Sequence, residues 1–153
     1  MAAYFCDSSA LVKRYITEKG STWLTAKLDP KVGNFVFIAR ITFVEVISAI
    51  SRKERGGHIS AVDAITAQTR FETDYLGEFF NLEITETLIK DSAILAKTYA
   101  LRGYDAVQLA AALQTQQTRT TSNLTPLTFL SSDSVLNDAA LSEGFTVDDP
   151  NNH

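Results

Sequence analysis

The sequence predicts an α/β domain in three layers, with helices packed on both faces of a central parallel sheet of four to five strands. Short apolar runs alternate along the chain with longer amphipathic stretches, as strand–helix–strand units require. Such alternation implies parallel strands joined by right-handed crossovers. At 153 residues, 45% of them hydrophobic and with nine Phe, the chain has the apolar content for one core. Residues 1–148 are read as a single domain and 149–153 as a polar C-terminal tail.

Residues 2–6 read as the first strand and 9–17 as the first helix. A second helix over 21–28 is ended by Asp29-Pro30, because the residue before proline is pushed out of the helical region. Residues 35–39 form a second buried strand. Over 42–55, Phe43, Val46, Ile47 and Ile50 fall at helical spacing, and Gly56-Gly57 supplies a stop. Ser60, three residues before Asp63, opens another helix. Residues 80–85 read as a third strand and 87–101 as a helix that Gly103 ends. Asp105 opens a helix to about residue 117 that is apolar nearly all round and therefore central. A polar loop over 116–125 leads to a strand at 127–130, a helix at 135–142 and a short last strand at 145–147. The sequence has no internal repeat. The sequon Asn123-Leu124-Thr125 has no secretory signal to give it meaning.

Composition narrows the function classes. No charged segment followed by a long apolar one begins the chain, and no stretch approaches transmembrane length, so a soluble cytoplasmic protein with no membrane role is expected. The lone Cys6 supplies neither an internal disulfide nor a zinc cage, and its expected fate is burial. His58 lies in a Gly-Gly-His turn and His153 is the last residue, so acid–base chemistry falls to carboxylates and water. A net charge of −4 runs against phosphate binding, but bound divalent cations would offset a local cluster of acids.

In open parallel sheets ligands sit beyond the carboxyl ends of the strands. Asp7 follows the first strand, Asp133 follows the strand at 127–130 by way of Ser131 and Ser132, and Asp105 opens the central helix. Each also reads as a helix N-cap, and capping does not exclude metal binding. Glu45 lies between Val44 and Val46 in a mostly apolar run, where a carboxylate is costly unless paired or metal-bound. The bland alternative has Glu45 reaching water at the margin of the stripe, or pairing with Arg52. Four such acids suit magnesium or manganese, hard cations that take oxygen ligands and activate water at a phosphodiester. Lys13 and Arg14 are placed to meet phosphates at the rim, against the default of a solvated helix face. Ser8, Ser9, Ser131 and Ser132 flank two of the acids, either to hydrogen-bond them or to cap helices.

The segments Tyr4-Phe5-Cys6-Asp7-Ser8-Ser9-Ala10-Leu11-Val12-Lys13-Arg14-Tyr15, Thr42-Phe43-Val44-Glu45-Val46, Leu101-Arg102-Gly103-Tyr104-Asp105-Ala106-Val107-Gln108-Leu109-Ala110 and Phe129-Leu130-Ser131-Ser132-Asp133 resemble the PIN-domain family. Within it they are similar to the VapC-type toxins of bacterial toxin–antitoxin pairs. The third segment is the most specific, and all four stand in the family's order across nearly the whole chain. Gln108 departs from the family, which very often has histidine there, at a position that is not a metal ligand.

The resemblance implies a three-layer PIN-like fold with Asp7, Glu45, Asp105 and Asp133 as the metal-holding acidic quartet. It further implies a magnesium- or manganese-dependent endoribonuclease, a homodimer, and a cognate antitoxin that blocks the site. The competing reading is a catalytically inactive PIN-fold module that binds a protein partner or RNA. A phosphoacceptor signalling domain is disfavoured because the last strand is not followed by lysine, and nucleotide-cofactor chemistry because no Gly-x-Gly-x-x-Gly follows a strand.

Overall fold

A computed structural model describes residues 1–153. Five parallel strands, β1 (Ala3–Cys6), β2 (Phe35–Ala39), β3 (Phe80–Leu82), β4 (Leu127–Leu130) and β5 (Thr146–Asp148), form one sheet in the order β3-β2-β1-β4-β5. The helices are α1 (Ser8–Leu11), α2 (Ser21–Lys27), α3 (Thr42–Arg55), α4 (Ala61–Gly77), α5 (Glu86–Tyr99), α6 (Gly103–Thr121) and α7 (Ser134–Ser142). None is long and apolar enough to cross a membrane.

Alternation along β1 divides the core into two layers, because successive strand side chains point to opposite faces. Ala3 and Phe5 pack with α5, α6 and α7, whereas Tyr4 and Cys6 pack with α1 to α4. Both faces of the sheet are covered, so all four β1 residues are buried, as parallel strands require. Phe5 pairs in register with Phe129 of β4, and the two rings stack at 5.8 Å. Residues 106–112 of α6 are buried without interruption, and four of those seven are Ala, which lets this helix lie close to the sheet.

Several elements differ from the sequence reading. The first helix breaks after Leu11 into a tight turn over Val12–Arg14, whose Val12 and Lys13 are buried. Strand β3 stops at Leu82, because Thr85 is used instead to cap α5 by accepting from the Leu88 amide. Gly103 does not end α5. Ala100 does, in a left-handed conformation with φ 55°, while its own amide and that of Leu101 bond to the Ala96 carbonyl. Gly103 instead opens α6.

The polar stretch read as a loop from 116 onward is helical to Thr121. Two of its side chains, Gln116 and Arg119, are fastened rather than solvated. Gln116 Oε1 accepts from the Leu127 amide at 2.8 Å, and the buried Arg119 donates to the Thr125 carbonyl at 2.7 Å. The Arg119 guanidinium also lies over the rings of Phe35 and Phe37. The last strand is shifted by one residue, and the segment after it forms a 3-10 turn over Pro150–Asn152. Pro150 packs against Gly20, where φ 86° and the close approach leave no room for a Cβ.

Because Ala100 bears the strain of a left-handed cap, Ala100→Gly is expected to stabilise the protein by ~0.5–1 kcal/mol. Urea denaturation checks this, and a lower midpoint would refute it.

Candidate active site

The chain leaves β1 for β2 on one side and later enters β4 on the other, so the strand order reverses between β1 and β4. At that switch point the carboxyl ends of neighbouring strands diverge and open a crevice. Asp7 lies at its base. Its amide donates to the Leu130 carbonyl at 3.1 Å, which continues the pairing of β1 with β4 by one residue. Its side chain caps α1 through the Ala10 amide at 2.9 Å and also accepts from the Ser9 hydroxyl at 2.8 Å and the Ser131 hydroxyl at 2.8 Å.

The remaining acids arrive at the N-terminal ends of other helices. Glu45 is in the first turn of α3, Asp105 in the first turn of α6, and Asp133 caps α7 by accepting from the Leu136 amide at 3.0 Å. The N-cap of α6 is Arg102, which makes no side-chain capping bond, so Asp105 is not a cap. Glu45 is half-buried rather than enclosed, since Val44 beside it is exposed. It also makes no ion pair with Arg52, which bonds to Ser48. Its oxygens are held instead by the Ser8 hydroxyl at 3.1 Å and by Gln108 Nε2 at 2.6 Å.

Gln108 is the partner that sequence reasoning missed. Buried, it bridges Thr42 Oγ1 at 2.8 Å and Glu45, and so sets the first turn of α3 against α6. Its place three residues after Asp105 puts it on the same face of α6, a signal present in the sequence. Three of the four flanking serines hydrogen-bond carboxylates; Ser132 does not, and its amide donates to Ser9. Lys13 and Arg14, expected at the rim, are elsewhere. Lys13 is buried against Glu18, and Arg14 pairs with Glu78 and Asp74 while donating to the Leu28 carbonyl. Cys6 is buried as expected.

Electrostatics ties the acids together. Burial pushes the Asp7 carboxyl up to about 7; hydrogen bonds from Ala10, Ser131 and Ser9 oppose that rise, and the charge of Glu45 adds to it. Asp105 is likewise raised by burial and then by Asp133 and Glu45, with Arg102 opposing. None of the four acids takes part in an ion pair with Lys, Arg or His. Carboxylate oxygens with no thiolate or imidazole among them are the donor set of a hard divalent cation, and burial raises the pKa of two of these carboxyls with no ion pair to offset it. In donor type and charge the residues fit such an ion. No three of them stand grouped as ligands, however. Asp7, Glu45 and Asp133 are each turned toward their own donors, as expected of like charges that repel by about 4 kcal/mol per close pair near a surface.

Comparison with known proteins adds relatives of known name. The chain is 32% identical over 113 residues to Ribonuclease VapC45 and to Ribonuclease VapC49 of Mycobacterium tuberculosis, covering 74% of this chain and 76% of theirs. No family model matches it. Among solved structures it superposes on FitAcB from Neisseria gonorrhoeae with a TM-score of 0.65 at 17% identity, over 96% of this chain and 97% of that one. It also superposes on VapBC-5 of Mycobacterium tuberculosis, a member of the VapBC family of toxin–antitoxin systems, with a TM-score of 0.56 at 16% identity, over 97% and 98% of the two chains. At such identities these structures speak for the fold, a PIN-type α/β domain, alone.

The high Asp7 pKa has a consequence for stability. A carboxyl whose folded pKa is raised stabilises the fold fully below its unfolded pKa, and that contribution is lost as pH climbs through about 7. Asp7→Asn cannot ionise. In EDTA its melting temperature is therefore expected to gain on wild type by several degrees between about pH 5 and about pH 8. A difference that does not change with pH would contradict the buried-carboxylate assignment.

Proposed function

The chain belongs to the VapC ribonuclease family of PIN-domain proteins, and on that premise we propose that it is a magnesium- or manganese-dependent endoribonuclease, the toxin of a toxin–antitoxin pair. Asp7 carries this reading, being a carboxylate 3% exposed, at the switch point of the sheet, within reach of the charge of Glu45 and with no cationic partner. Asp7, Glu45, Asp105 and Asp133 would hold the cation. When bound, it would supply a Lewis acid for the scissile phosphate and lower the pKa of the attacking water.

The chain's own residues do the rest. Ser9, Ser131 and the Ala10 amide fix both oxygens of Asp7, and Ser8 and Gln108 fix those of Glu45, so the donors are oriented before substrate arrives. His153 is stacked on Trp23 at 4.0 Å, and His58 follows the turn after α3, which leaves carboxylates to handle the protons. Asp105, half-buried and raised in pKa, is suited to accept one from the attacking water. A cytoplasmic location follows from an RNA substrate.

A cognate antitoxin and a second copy of the chain are the proposed protein partners. The antitoxin is supported by relatives whose structures are toxin–antitoxin assemblies. The absence of three acids grouped as ligands favours one second reading, a PIN-fold module that binds RNA or protein without cutting.

Purified protein is expected to cleave RNA only with divalent metal, and Asp7→Asn and Asp105→Asn to slow cleavage at least about 100-fold. Manganese should raise the melting temperature of wild type more than that of either variant. Cleavage that survives EDTA, or that both variants retain, refutes the proposal; neither cleavage nor metal stabilisation in wild type favours the module. Gln108→Leu removes the 2.6 Å bond to Glu45 and is expected to weaken metal activation about tenfold, read as the metal concentration for half-maximal rate.

A further inference from the structure

Beside Glu45 the surface opens into a cleft of about 340 Å³, walled by Ser8, Glu45, Ser48, Arg52 and Tyr104 over an apolar floor that includes Ile41. Arg52 lies seven residues after Glu45, two turns along the same face of α3. It forms no ion pair; Nη1 donates to the Ser48 hydroxyl at 3.0 Å, which leaves most of the guanidinium fork free. Tyr104, next in sequence to Asp105 at the start of α6, is 60% exposed. Lys13, Arg14 and Arg40 are all committed to carboxylates. Arg52 is the one Lys or Arg side chain that lines the cleft, and so the cation it can offer to a ligand.

We propose that the cleft is a subsite for one nucleotide of single-stranded RNA, with Arg52 on the phosphate next to the scissile one and the Tyr104 ring stacked on its base. The proposal rests on the ribonuclease reading and names the part of the substrate that the acids do not touch. A planar fork suits a phosphate, and an exposed ring accepts the face of any base, so the contact tolerates sequence. It does not tolerate pairing: in a duplex both faces of a base are covered by its neighbours, and the ring has nothing to meet. A more apolar depression lined by Phe43, Val44, Tyr75 and Leu76 lies nearby. Arg40 and Glu72 also line it, but its surface is mostly apolar, which makes it the better seat for a protein partner.

Binding of a short fluorescent single-stranded RNA in EDTA, followed by anisotropy across a salt series, tests the subsite without cleavage. Tyr104→Ala is expected to weaken binding about tenfold, and Tyr104→Phe, which keeps the ring, to stay within about twofold of wild type. Arg52→Ala should weaken binding and flatten the slope of log affinity against log salt by about 0.7, the loss of one single-strand phosphate contact. Lys97→Ala, which removes the same charge from an exposed position on α5, should leave the slope unchanged. With metal present, the KM for RNA should rise in parallel. Wild type that binds or cuts RNA while R52A and Y104A match it overturns the subsite alone. Wild type that neither binds nor cuts RNA overturns the reading beneath it as well.

Discussion

A carboxylate taken out of water at the end of the central strand is the constraint on which this architecture turns. Burying an ionised group with nothing to bond is among the costliest acts in folding. Asp7 is buried with donors from two directions, the start of α1 through Ser9 and Ala10, and the exit of β4 through Ser131. Those donors exist only because β1 and β4 are parallel neighbours whose chains part at their carboxyl ends. A change in sheet order would strand the acid. Burial raises the Asp7 pKa further than this set of donors lowers it, so the carboxyl is drawn toward its neutral form.

The same economy governs the other acids. Asp7 and Asp133 are caps, and Glu45 and Asp105 stand in first turns, so each lies at the positive end of a helix. Capping and ligand readings of these residues describe one placement. The helices gain an N-terminal anion, and the site gains a carboxylate whose backbone is fixed. Cations that might have neutralised the cluster are used as glue. Glu18 draws in Lys13 and Lys53, while Asp74 joins Arg14 to the hydroxyl of Tyr15 and so clamps the turn after α1 onto α4.

How much of this was legible in the sequence depended on the range of the interaction concerned. Strands β2 and β4, helix α3 and the cap at Ser60 follow from local pattern and were read correctly. Gly103 misled because a left-handed cap position usually goes to glycine, whereas here tertiary packing of Leu101 forces Ala100 into it. Residues 116–121 are polar enough to read as loop, yet Arg119 is buried by rings contributed from β2, some eighty residues earlier in the chain. Placement and family pattern pointed to the acids, and spacing puts Gln108 on the face of Asp105, but its pairing with Glu45 appears only when α3 and α6 come together. The fates of Lys13 and Arg14 were hidden for the same reason, since their carboxylates lie in other elements.

The insertion of β4 beside β1 also imposes an order in time. Ribosomes deliver the acid of β1 first and the strand that completes its surroundings more than a hundred residues later. Until β4 emerges, β1 presents an unpaired edge and Asp7 lacks the Ser131 hydroxyl, while Asp133 has yet to be made. Pairing across so long a separation is slow, because loop closure must be met before any contact rewards it. The crevice can therefore form only after β4 has been made, and a chain stalled before it carries Asp7 without the Ser131 hydroxyl that bonds it.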